Sequence, residues 1–92
     1  MSFEGYVRVL DTNGFVLDLA EATLGELQRE GHSWGGRLIV AVGSGLDGKR
    51  LPVQIDVPGR FSAPALIGPT DETVGKDRVV LEVLGHGPNP LT

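Results

Sequence analysis

The segment Arg50–Val57 places the tightest constraint on the fold. Leu51, Val53, Ile55 and Val57 alternate with Arg50, Pro52, Gln54 and Asp56. That is the period of a strand with one covered face. Pro52 cannot donate to a ladder, so it marks either an edge strand or a strand end. The same period recurs elsewhere. Val7 and Val9 flank Arg8, and Val79, Leu81 and Val83 alternate with Val80, Glu82 and Leu84. Residues 37–42 read Arg-Leu-Ile-Val-Ala-Val, a further strand. A chain of 92 residues built this way is one domain with one modest core.

Composition removes several functions. Twelve acids against eight bases give a formal charge of −4, the wrong sign for tracking phosphates, so no nucleic-acid partner is expected. No apolar run approaches the roughly 18–20 residues of a membrane-spanning helix. The start, Met1-Ser2-Phe3-Glu4, lacks the basic-then-apolar pattern of a signal peptide. Without cysteine there is no disulfide, thiolate nucleophile or thiolate-bound zinc. These features fit a cytoplasmic protein with no membrane partner and no cofactor.

Turn chemistry orders the strands. Residues 4–10 and 15–19 are joined by Asp11-Thr12-Asn13-Gly14 and form an N-terminal hairpin. Thr23-Leu24-Gly25-Glu26 fits a capping box, Leu24 and Leu27 lie three apart, and Gly31 is a left-handed stop. A helix over Thr23–Gly31 is therefore predicted, followed by a loop at residues 32–36. Asp47-Gly48 signals a second hairpin between residues 37–42 and 50–57. Phe61–Ile67 reads as a short strand or an irregular apolar segment, and Gly68–Asp77 as a polar loop. Arg78–Leu84 is the last strand, and Gly85–Thr92 an extended tail. The order hairpin, helix, hairpin, strand suits an α+β fold in which a curved sheet grips one helix, the β-grasp. A small barrel with an inserted helix is the rival.

Apparent catalytic motifs fail on context. Gly43-Ser44-Gly45-Leu46-Asp47-Gly48 fits a dinucleotide fingerprint, but a strand rather than a helix follows it. Gly31-His32-Ser33-Trp34-Gly35 matches the nucleophile elbow with its flanking elements reversed. His32 and His86 are the only histidines, too few for a metal site. Trp34 reads as a lid on the core. No catalytic role is expected.

Three ordered pieces resemble the ubiquitin-like proteins, including the bacterial modifiers of that family. They are Tyr6–Gly31, the stretch from Arg37-Leu38-Ile39-Val40-Ala41 through Leu46-Asp47-Gly48-Lys49-Arg50-Leu51, and Lys76–Gly87. They cover somewhat over half of the chain. The resemblance implies a domain over residues 1–87 and a C-terminal extension over 88–92, with residues 53–75 as an insertion before the last strand. It also implies a modifier precursor. A processing protease would cut after Gly87, and activating and conjugating enzymes would join the Gly85-His86-Gly87 end to protein targets. By the same resemblance Ile39 lies on a partner-binding strand. Alternation puts Ile39 and Ala41 on the outer face, where Val80 and Leu84 would join them in one apolar patch. The alternatives are a β-grasp interaction module that is never conjugated, or a structural subunit of a virion or secretion assembly. Val53, Ile55 and Val57, if on an edge, would pair two copies into a homo-oligomer.

Overall fold

The computed structural model describes residues 2–92. Among them there is no helix. The chain forms β1 (Phe3–Leu10), β2 (Val16–Arg29), β3 (His32–Ala41), β4 (Leu51–Asp56), β5 (Ala63–Val74) and β6 (Arg78–Gly85). All neighbours are antiparallel, and the sheet closes in the order β1-β2-β3-β6-β5-β4. Closure is made by β4 on β1, with Arg8, Val9 and Leu10 opposite Asp56, Ile55 and Gln54.

The α+β β-grasp is thereby overturned: the protein is all-β. The predicted helix over Thr23–Gly31 is the second half of a 14-residue strand and the turn that follows it. Ala20, Ala22 and Leu24 point inward with a period of two and are 1% exposed. Val7 lies opposite Ala20, and Gly5 opposite Ala22, so the first strand imposes its own period on the second. The supposed loop at 32–36 begins β3. There Gly36 has φ +148°, and a Cβ on it would fall on the Thr23 carbonyl oxygen. Glycine at that position lets β2 and β3 approach. Long-range pairing outweighs a local capping signal worth about 1 kcal/mol.

Two further corrections follow from closure. β3 pairs with β2 and β6, and β4 with β1 and β5. The Asp47-Gly48 stretch is therefore a connection across one end of the barrel and not a hairpin turn. It carries Leu46 into the core at 1% exposure. Likewise β4 is no edge. Val53, Ile55 and Val57 are buried inside the barrel and do not offer a strand to a second copy. Pro52 stands as the second residue of the strand, at its end. Residues 53–75 are not an insertion outside the fold, since they supply most of β4 and all of β5.

Val7, Val9, Leu38, Val40, Ile67, Leu81 and Val83 fill the barrel with the residues already named. Six strands enclose less than the eight whose interior side chains just fill, so no lumen is left for a ligand. Trp34 is fully buried beside Gly85, as the lid reading requires. The tail returns as well: Leu91, 2% exposed, joins the same core.

Across the closing seam Arg8 Nε donates to Asp56 Oδ2 at 2.9 Å. The Arg8 side chain is 59% exposed, so the pair contributes under about 1 kcal/mol. Asp56→Asn is expected to leave the thermal midpoint within a few degrees of the parent. A larger drop would mean that this pair, and not the core, holds the seam.

Candidate functional site

The residues singled out in the sequence fall into three places. His32, Ser33, Gly85, His86 and Gly87 meet at one end of the barrel, because β3 starts where β6 ends. The carbonyl of Gly85 can only accept, so His32 Nδ1 carries the proton and donates to it at 2.9 Å. The two imidazoles lie 5.2 Å apart, tilted by 59°. Ser33 Oγ donates to the Gly87 carbonyl at 3.5 Å, and the His86 amide donates to the Pro64 carbonyl at 2.9 Å. An open groove of about 600 Å³ lies beside them, walled by the β2–β3 turn and Gly87. Of its lining, His32 and Ser33 are engaged in holding the end of β6 and the tail against β3. Among the described residues no three carboxylate or imidazole groups converge as a metal site.

The glycine-rich stretch at 43–48 is similarly committed. The Gly43 amide donates to Asp47 Oδ2 at 2.8 Å, and the Leu46 amide to Ser44 Oγ at 3.4 Å. These amides bond within their own loop and do not face outward as a phosphate cradle.

Ile39, Ala41, Val80 and Leu84 do share the outer face, with Ile39 opposite Val80. They do not make one open patch. Val80 is 4% exposed, while Ile39 and Leu84 are half-buried. Ion pairs flank them: Arg37 to Glu72 at 3.2 Å and Arg78 to Glu21 at 3.4 Å. The outer surface there is already occupied by the protein's own side chains.

A different face is open. Tyr6 is 67% exposed, Leu19 61% and Phe15 71%, with Val16 and Leu17 beside them. All five belong to β1, β2 and the turn between them. Leu19 lies opposite Arg8, and Tyr6 opposite Glu21, so Tyr6 and Leu19 are diagonal neighbours on one outer ladder. They line a groove of about 410 Å³ with Arg8, Asp56, Pro58 and Gly59. The groove floor is the β1–β4 seam, and its walls are a phenol ring and a leucine. No family model, curated protein or solved structure matches this chain.

This face escaped the sequence reading for a definite reason. Leu17 and Leu19 look like the inward half of an alternating strand. The register shifts between Val9 and Leu10, where Leu10 pairs with Val16, and Leu17 is the extra residue. The inward phase of β2 is then carried by two alanines and a leucine, and the larger residues face out. Counting back across the turn from Leu10 and Val16 sets Val9 against Leu17 and Val7 against Leu19; only the extra residue moves Asp18 and Ala20 to those places, and no turn signal in the sequence marks it.

Proposed function

We propose that this protein is a non-enzymatic interaction domain that binds another protein through the outer face of the β1–β2 hairpin. One observation carries the reading: large apolar side chains are concentrated, exposed, on a single hairpin of a barrel whose interior is already full. Each exposed aromatic presents on the order of 100 Å² of surface. Contiguous apolar patches of a few hundred Å² on a soluble domain mark contact surfaces. Every strand in this part of the sheet is paired on both sides, so a partner meets side chains and does not add a strand.

The processed-modifier reading receives less support. It needs a tail free to leave after Gly87. Gly87 itself is exposed, but Leu91 four residues later is packed in the core. Cleavage there would remove a core side chain.

The test places a photoreactive amino acid at position 15 in the full chain and, separately, at position 37 on the ion-paired face. Cross-linked protein is expected from position 15 only. Adding Tyr6→Ser and Leu19→Ser should abolish it while the thermal midpoint falls by no more than about 4–8 °C, because each surface substitution changes stability by about 0.5 kcal/mol or less. Equal cross-linking from both positions, or yields indifferent to the two serines, would remove the proposed face.

A further inference from the structure

The formal charge is unevenly placed. Residues 2–31 hold Glu4, Asp11, Asp18, Glu21, Glu26 and Glu30 against Arg8 and Arg29, a balance of −4. The whole chain is −4, so the remaining residues are neutral, six acids against six bases. The hairpin that displays the apolar side chains therefore also carries the entire charge excess. Glu4 is two residues from Tyr6 on the same outward side of β1, and Glu21, which also pairs with Arg78 of β6, lies opposite Tyr6 on β2. Among the described residues the one cation lining the groove, Arg8, is held by Asp56.

We infer that the partner surface seated on this face is a cationic amphipathic segment of another protein, with an apolar stripe flanked by Lys or Arg. The inference rests on the binding-module reading above and adds the chemistry of the partner. Tyr6 and Leu19 take the apolar side chains, and the surrounding carboxylates attract the flanking cations. A second copy of this chain would bring two hairpins of −4 face to face, and like charges oppose that approach. An anionic membrane surface is repelled for the same reason.

The experiment uses the full chain and two labelled synthetic amphipathic peptides with the same leucine stripe, one flanked by lysine and one by glutamate. Fluorescence anisotropy should show the lysine peptide binding at least about tenfold more tightly, with the gap narrowing in high salt. Tyr6→Ser with Leu19→Ser should weaken the lysine peptide by about tenfold or more. Glu4→Gln with Glu21→Gln should weaken it severalfold and leave the glutamate peptide unimproved or slightly better bound. Equal affinity for the two peptides overturns the inference. So does lysine-peptide binding that ignores the serine variant, since that would be general adhesion to an acidic protein. Sedimentation of the chain alone supplies a further check: a dimer that Leu19→Ser dissolves would make the occupant a second copy. If position 15 cross-links to a partner segment without basic residues, the binding-module reading survives and this inference fails.

Discussion

Gly85→Val is expected to abolish the folded state. A Cβ on Gly85 would lie within the Trp34 indole, on Cε2, Cδ2 and Nε1. The indole cannot swing away, since Trp34 is fully buried in the end of a barrel with no spare volume. Overpacking a core costs about 1–3 kcal/mol when side chains can adjust. Here the added atom coincides with a rigid ring, and either β6 must leave β5 or the ring must leave the core. A small domain has about 5–10 kcal/mol of stability to lose. Gly85→Ala should cost at least about 3 kcal/mol and Gly85→Val should leave an unfolded chain, as read by near-ultraviolet circular dichroism of the single tryptophan. Among the described residues the Trp34 Nε1 hydrogen has no acceptor, so shortening this residue breaks no hydrogen bond. Trp34→Leu opens the space directly. Gly85→Ala should therefore be much less costly in a Trp34→Leu background than alone, a coupling between touching residues. Equal urea midpoints for Gly85→Ala and the parent would refute the packing described here.

Where one covered face controls a strand, its sequence is readable. Val7 and Val9, Val53 and Ile55, and Val79, Leu81 and Val83 all alternate, and all point inward. The alternation from Ala20 to Leu24 is just as regular in space but not in the sequence. Alanine is a weak marker of burial and the best helix former, and Thr23 and Glu26 add a helix-start signal. What decides the segment is its pairing with Phe3–Val9, which lies outside any local window. β5 was hidden differently. Pro64, Pro69 and the polar run from Thr70 to Thr73 resemble a loop, yet both prolines are exposed and the register shifts between Pro69 and Thr73. The candidate face was obscured by the shift in the first hairpin, which reverses the phase of two leucines. No pattern marks Leu91 at all. It stands alone after two prolines, and only the return of the chain over the barrel end makes it core.

That return gives the second large effect. A chain stopped after Gly87 should lose roughly 2–4 kcal/mol, the range for removing a buried leucine. For a domain of this size that is a fall in thermal midpoint of about 10–20 °C. The tail is fixed by more than Leu91. Asn89 Oδ1 accepts from the Leu91 amide at 2.9 Å, and Thr92 Oγ1 donates to the Asn89 carbonyl at 3.0 Å. These short-range bonds set the turn that aims Leu91 inward, and Ser33 and His32 hold the strand end from which it departs. Leu91→Ala should reproduce most of the loss, because it removes the same apolar surface without shortening the chain. Leu91→Met should cost under about 1.5 kcal/mol, since it keeps the volume. Asn89→Ala should fall between, loosening the turn and leaving the side chain able to bury. The comparison also bears on function. If the protein ending at Gly87 melts with the full chain, Leu91 contributes nothing to the core. Residues 88–92 would then be dispensable, and release of a glycine end would regain its physical basis. If it melts as expected, the tail is a structural plug, and binding by the barrel surface is the reading that a stable, full-length chain supports.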